Sequence, residues 1–172
     1  MSTKNDLAQR NLVRTLQDYI EVMTPLPHWR YRCTSDFVMQ HGALFESGAF
    51  PRSIRRRARQ CYQNSLRHAL ANNLSYVEGF AVNSLGRDIR HAWCAEKFTG
   101  IAIDPTWSSL GLAYYGVAFD SEFVQRYFEI LGPAILDNGS GDPVILRGSI
   151  PIEVWRDGCF DGWNWSSLLQ CL

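Results

Sequence analysis

Three residues near the middle of the chain have the types and the order that cysteine-dependent acyl transfer uses. Cys61 opens the stretch CYQNSLRHALAN, in which apolar residues follow helical spacing, so we expect the thiol near the start of a helix. The unpaired amides and the dipole at a helix N-terminus favour a thiolate, which is the attacking form of cysteine. Cys61 is therefore the candidate nucleophile.

A catalytic cysteine also needs a base, and imidazole titrates in the useful pH range. His91 lies in a predicted strand, RHAWCAEKF, whereas His28 and His41 fall in a region without regular periodicity. His68 lies seven residues along the helix of Cys61, about 10 Å away and on another face. His91 is therefore the candidate base.

An acceptor beside such a base fixes its tautomer and stabilises its protonated form, and aspartate fills this role in catalytic triads. Asp104 lies thirteen residues after His91, in the strand predicted over 101–107. Directly opposed pairing would need a turn centred on residues 97–98, whereas Gly100 favours a slightly later turn. We therefore expect the two side chains to meet across a hairpin, either directly opposite or diagonally.

The segment HAWCAEKFTGIAIDPTW, preceded by a cysteine at a helix start, resembles the transglutaminase-like superfamily, whose order of Cys, His and Asp is shared broadly with papain-like cysteine enzymes. The resemblance covers residues 58–107, within a core motif region that extends to about 120. It implies an α+β fold in which an antiparallel sheet packs against helices and the nucleophile lies at a helix N-terminus. It also implies Cys61 as nucleophile, His91 as general base and acid, and Asp104 as the residue that orients His91.

Two features depart from the family pattern. Many members carry a tryptophan directly after the nucleophile, where this chain has Tyr62. The connection from histidine to aspartate is also often longer in the family than it is here. The first difference affects the expected substrate groove, and the second indicates a pared-down core.

Each of the three residues has a purely structural alternative as well. Cysteine is among the most buried residue types, so a helical cysteine is commonly an inert part of the core. His91 could be a hydrogen-bonded core histidine, and Asp104 could serve only as the turn former of an Asp-Pro dipeptide. The occurrence of all three in matching positions favours catalysis. Cys94, one residue after Trp93, should face away from His91 and is interpreted as core.

Several neighbours are candidates for holding an oxyanion or lining the substrate site. An amide side chain near the nucleophile could assist the Cys61 backbone amide, with a surface or capping role as the alternative. A tryptophan two residues after His91 shares its sheet face, although core packing is an equally good role for it. A carboxylate in the strand YVEGF faces either the cleft or solvent. These candidates are Gln60, Gln63, Asn64, Glu78, Trp93 and Trp107.

The only dense charge run is RSIRRRARQ, with five arginines at positions 52, 55, 56, 57 and 59. Such runs usually form a solvated face. The sharper interpretation is that Arg55, Arg56, Arg57 and Arg59 favour the Cys61 thiolate or recognise an acidic partner, phosphate included.

The remaining elements follow from periodicity. A helix is expected over 5–23, followed by irregular structure with one or two short helices over 24–60 and by the helix of Cys61. A later helix, EFVQRYFEIL, has Ser121 as its expected N-cap. No repeat or linker divides the chain, so residues 1–172 are expected to form a single α+β domain. Strands are predicted over 76–83, 90–98, 101–107 and 114–119.

Composition narrows the classes of function. Lys plus Arg balances Asp plus Glu at 17 each, so no overall field favours nucleic acid or an anionic membrane. The N-terminal region lacks the apolar core of a signal peptide, and no apolar run is long enough to span a bilayer. The five cysteines include no CxxC pair and no zinc-ligand spacing. We therefore expect a cytoplasmic protein with reduced thiols, no metal and no organic cofactor.

Together these features predict a cysteine hydrolase or acyltransferase that acts on an amide or isopeptide bond of a protein or peptide substrate through a thioester. Hydrolysis would make it a thiol protease, an isopeptidase or a glutamine deamidase, and an amine acceptor would make it a transglutaminase-type transamidase. The sequence does not select among these outcomes, because they share the first half-reaction. The alternative from another class is a non-catalytic binding module that uses the arginine run.

Overall fold

The computed structural model of the chain describes residues 3–48, 58–137 and 143–156. Arg55, Arg56 and Arg57, which were candidates for recognition, lie outside the described residues, as does the chain beyond residue 156. The described elements, in chain order, are α1 (Lys4–Val22), α2 (Thr34–His41), β1 (Ala43–Ser47), α3 (Cys61–Asn72), β2 (Ser75–Val82), β3 (Asp88–Ala95), β4 (Ile101–Ile103), β5 (Ala113–Phe119), α4 (Ser121–Leu131), a 3₁₀ turn (Val144–Arg147) and α5 (Ile152–Trp155).

The strands of the described region close into a five-stranded barrel in the order β1, β4, β3, β2, β5. The prediction that helices combine with a sheet is confirmed. The prediction of a wholly antiparallel sheet is wrong, because β1 pairs in parallel with β4 and antiparallel with β5. β1 comes from the region that was expected to be irregular, and its sequence, ALFES, lacks the alternation of apolar and polar residues that predicts a strand. Its two pairings close the barrel.

Alternate residues of the strands pack into two separate apolar clusters. Trp93 and Ala95 of β3 point into the barrel, whereas Ala92 and Cys94 pack outward against the helices. Cys94 therefore lies in the core, on the face opposite His91, as predicted. A Cβ at Gly116 would come within 2.5 Å of the Trp93 ring, so only glycine leaves room for the buried indole.

Side-chain hydrogen bonds fix α3 against the barrel. Near its start, Asn64 donates to the Thr106 hydroxyl at 3.1 Å. One residue later, Ser65 donates to the Ala92 carbonyl at 2.9 Å, and the Cys94 thiol donates to the Ser65 carbonyl at 3.1 Å. These groups are buried, where an unmade hydrogen bond is costly. The first turns of α3, and with them Cys61, are therefore held in a defined position beside β3.

The N-cap of α4 is Asp120, one residue before the predicted Ser121. Its carboxylate accepts hydrogen bonds from the backbone amides of Glu122 and Phe123, at 2.9 and 3.1 Å. Aspartate is among the strongest N-cap residues, and its negative charge also suits the helix dipole. Within the described ranges, no helix combines the length and the apolar character that crossing a membrane would need.

Candidate active site

The hairpin of β3 and β4 brings His91 and Asp104 into hydrogen-bonding contact. Its register pairs Cys94 with Ile103, which places Asp104 diagonally from His91 rather than directly opposite. The turn is the later one that Gly100 predicted, and this glycine has a φ of 68°, in the left-handed region. His91 Nε2 lies 2.7 Å from Asp104 Oδ2, and both side chains are buried.

The Asp104 side chain accepts hydrogen bonds from three further donors. Its Oδ1 accepts the backbone amides of Thr106 and Trp107 at 2.8 and 3.0 Å. Its Oδ2 accepts the Tyr114 hydroxyl at 3.3 Å in addition to the His91 ring. The Asp-Pro segment is thus a turn of the kind that the structural alternative proposed. The same carboxylate turns its second oxygen to the imidazole, so the turn and the contact with His91 occur together in one residue.

The arrangement defines the tautomer of His91. A carboxylate can only accept hydrogen bonds, so Nε2 carries the proton and donates it to Asp104. The Cys61 side chain raises the pKa of the same imidazole, and Nδ1 is the ring nitrogen that remains available to it. Burial lowers the pKa of His91, but the hydrogen bonds and charges of Asp104 and Cys61 raise it more, to about 9.

A cleft of about 470 Å³ opens onto Cys61 and His91. Trp107 forms part of its wall and stacks on the His91 ring, with centroids 4.1 Å apart and planes inclined by 15°. The indole therefore covers one face of the imidazole. The cleft is lined by Cys61, His91, Arg59, Arg90, Trp107 and Ser108, among others.

Comparisons with protein-family models, curated proteins and solved structures find no match. Function must therefore be inferred from the geometry of the residues themselves.

Two of the predicted lining residues have structural roles instead. Trp93 is fully buried inside the barrel and does not line the cleft, because its position on β3 is covered by β1 and β5. Asn64 is buried and bonded to Thr106, so its amide connects α3 to the turn after Asp104. Gln60, the N-cap of α3, and Gln63 are half-buried and are not among the residues that line the cleft.

Glu78 faces neither solvent nor the cleft. It is fully buried on the outer side of β2, where its carboxylate accepts the backbone amides of Ile135 and Leu136 and the Tyr76 hydroxyl, with distances of 2.7 to 3.1 Å. Burial raises the pKa of Glu78 to about 7, although the donated hydrogen bonds lower it. The two alternatives considered for this residue are both wrong, because β2 is buried on both of its faces.

Sequence reasoning missed several residues that support the site. Tyr114, in AYYGVAF, donates to Asp104, and Thr106, in DPTW, accepts from Asn64. Tyr114 lies in the strand predicted over 114–119, and Thr106 lies in the stretch that ends in DPTW. A polar side chain pointing into the interior at each of these positions was the signal available in the sequence. Of the cysteines in the described ranges, Cys33 and Cys94 are buried and Cys61 is half-buried. Across these same ranges, no group of three or more His, Cys, Asp or Glu residues is placed to hold a metal ion.

Proposed function

We propose that the protein is a cysteine-dependent acyl-transfer enzyme that cleaves an amide or isopeptide bond of a protein or peptide substrate. The observation that carries this proposal is the 2.7 Å hydrogen bond between His91 and Asp104, with the Cys61 side chain acting on the same imidazole at the wall of an open cleft. A nucleophile, a base and an orienting acceptor in this relation are the requirement of nucleophilic catalysis.

Acylation begins with attack of Cys61 Sγ on the substrate carbonyl carbon. The oxygen of the tetrahedral intermediate carries the negative charge, and the backbone amide of Cys61 at the start of α3 is a donor for it. His91, kept protonated by its raised pKa of about 9, then gives a proton to the leaving nitrogen. The carbon–nitrogen bond breaks, an amine or ammonia leaves, and the acyl group remains as a thioester on Cys61.

The fate of the thioester defines the class of enzyme. Water, activated by the now neutral His91, gives an acid and restores the thiol, which is the outcome that we favour. On a main-chain or isopeptide bond this is proteolysis or isopeptide cleavage, and on a glutamine side chain it is deamidation. An amine acceptor in place of water gives transamidation, the alternative outcome. A reducing compartment such as the cytoplasm suits this chemistry, because Cys61 must remain unoxidised.

The alternative from another class is a binding module that uses the Arg52–Arg59 segment without chemistry. Of this run, Arg59 lies in the cleft wall beside Cys61, where a cation can attract an acidic substrate as readily as an acidic partner. Buried hydrogen bonds that leave His91 with a raised pKa have no use in such a module. The coupling of His91 to both Cys61 and Asp104 therefore favours the enzyme.

A peptide screen tests the proposal. The protein would be incubated with a mixed peptide library, with and without an added primary amine, and the products would be followed by mass spectrometry. New termini mark proteolysis, a gain of one mass unit at glutamine marks deamidation, and an amine adduct marks transamidation. We expect products with the unaltered protein and with Cys33→Ala, and none with Cys61→Ala. Equal product formation by Cys61→Ala would contradict the proposal.

A further inference from the structure

The connection after α4 is anchored by a buried carboxylate of the barrel. Ile135 and Leu136 are buried, and their backbone amides donate to Glu78 at 2.8 to 3.1 Å. These bonds join residues that are 57 and 58 positions apart in sequence. Because buried hydrogen-bonding groups are costly to leave without a partner, Glu78 fixes the position of this connection on the outer face of β2. The next residue, Asp137, is placed by the same anchor.

Asp137 contacts both elements that carry the proposed nucleophile and base. Its Oδ2 accepts the hydroxyl of Tyr62, which directly follows Cys61, at 3.2 Å. Its Oδ1 lies 3.3 Å from Arg90 Nη1, and Arg90 directly precedes His91. One carboxylate therefore bridges the first turn of α3 and the middle of β3. Each contact lies one residue from a group that the proposed mechanism uses.

We propose that Asp137 is a positioning residue, which holds α3 and β3 at the separation that Cys61 and His91 require, and that Glu78 anchors it. This inference rests on the proposed function. Asp137 does not touch the reacting atoms. Its effect is transmitted through Tyr62 and Arg90, whose neighbours in sequence must approach each other within hydrogen-bond distance.

The contribution of this bridge is to geometry rather than to overall stability. The Arg90 and Asp137 side chains are 39% and 36% exposed, and exposed ion pairs add little to the free energy of unfolding. A shift of about 1 Å between reacting groups can nevertheless slow a reaction by up to about a hundredfold. Loss of the bridge should therefore change the reactivity of Cys61 while the protein remains folded.

The test is the rate at which iodoacetamide alkylates Cys61 at neutral pH. Asp137→Asn should lower this rate by about tenfold and Tyr62→Phe by somewhat less. Either change removes one arm of the bridge, because asparagine has one acceptor oxygen for two donors and phenylalanine has no hydroxyl. The double variant should therefore be little slower than Asp137→Asn alone. Glu129→Gln is the matched control, since Glu129 forms a comparable exposed pair with Arg126 at 3.5 Å on α4. Its rate should equal that of the unaltered protein.

The outcomes separate this inference from the function on which it rests. If His91→Ala slows alkylation but Asp137→Asn and Tyr62→Phe both react at the unaltered rate, the positioning role is wrong and the proposed function stands. If His91→Ala also has no effect, the proposed function itself fails. Strictly multiplicative effects in the double variant would likewise contradict a shared bridge. Thermal unfolding of every variant checks folding, and Tyr62→Phe provides the test if Asp137→Asn fails to fold.

Discussion

Two buried carboxylates, Asp104 and Glu78, accept hydrogen bonds from nearly the same kinds of donor. Each accepts two backbone amides and one tyrosine hydroxyl, from Tyr114 and Tyr76 respectively. Only Asp104 also accepts an imidazole, that of His91. The amides at Asp104 come from residues two and three positions ahead, whereas those at Glu78 come from 57 and 58 positions ahead.

This difference separates the carboxylate that the proposed mechanism uses, Asp104, from one that joins elements of the fold, Glu78. Asp104 is satisfied by its own turn, so its second oxygen can be directed at His91 without dependence on distant parts of the chain. Both oxygens of Glu78 accept backbone amides of the connection after α4 and so join it to β2. A buried carboxylate is therefore not by itself a mark of catalysis, and the presence of a titratable partner beside the cleft is the deciding feature.

The largest expected difference between the two carboxylates is in catalysis. Asp104→Asn should lower the rate of substrate turnover by about a thousandfold or more, because the amide would donate towards His91 and favour the wrong tautomer. Glu78→Gln should change turnover by less than about tenfold, because its amide oxygen can still accept the backbone donors. The measurement is the turnover number on a peptide found by the library screen. Equal losses would remove the distinction.

The stability of the fold should depend on both carboxylates. Glu78→Ala leaves two backbone amides and the Tyr76 hydroxyl without their acceptor in a fully buried position, which should cost about 3 kcal/mol or more of unfolding free energy. Asp104→Ala leaves two backbone amides, the Tyr114 hydroxyl and the buried His91 ring without their acceptor, so it should cost at least as much. Urea unfolding of both variants measures the difference. A loss of less than about 1 kcal/mol for Glu78→Ala would contradict its architectural role.

The pH dependence belongs to the Asp104 site. The pKa of His91 is raised from 6.5 to about 9, so activity that needs the protonated ring should persist at neutral pH and fall as the pH rises through about 9. The sign for stability is the same: protonated His91 stabilises the folded state fully below pH 6.5, and this contribution is lost as the pH approaches 9. Turnover from pH 5 to 10 locates this limb. A fall centred near 6.5 would mean that His91 is not coupled to its partners.

The smallest expected effect concerns the aromatic cover of the imidazole. Trp107→Phe keeps an aromatic face against His91, whereas Trp107→Ala removes it and admits water to the hydrogen bond with Asp104. Stacked pairs contribute about 1 kcal/mol, so the alanine variant should lose roughly fivefold in turnover and the phenylalanine variant less. No difference between the two variants would show that the stacking is incidental to the site.

The contrast between local and distant partners also explains which side chains could be placed from the sequence. Asp104 could be placed because its partners lie within one hairpin, and Gly100 indicated the later turn that makes the pairing diagonal. Glu78 could not be placed, since alternation along a strand does not reveal that both faces are covered. Trp93 was ambiguous for the same reason, because barrel closure by β1 depends on contacts between distant residues.

The arrangement of helices was predictable where local signals are strong. The helical spacing after Cys61 predicts α3, which begins at that residue. The position of Asp137 between Tyr62 and Arg90 depends on the anchor at Glu78, and no motif in the sequence links these four residues. The contact between His91 and Asp104 could therefore be predicted from the sequence. The contacts between distant segments that hold the site in place could be seen only in the structure.

The most direct test of the central claim is the pH profile of iodoacetamide alkylation at Cys61, resolved by mass spectrometry from the buried Cys33 and Cys94. An ordinary thiol ionises near pH 8.5, so its rate rises about tenfold for each pH unit below that value. If Cys61 and His91 form a thiolate–imidazolium pair, the rate should be nearly constant between neutral pH and about 8, and His91→Ala should restore the ordinary rise. An unreactive Cys61, or a profile that His91→Ala leaves unchanged, would contradict the account.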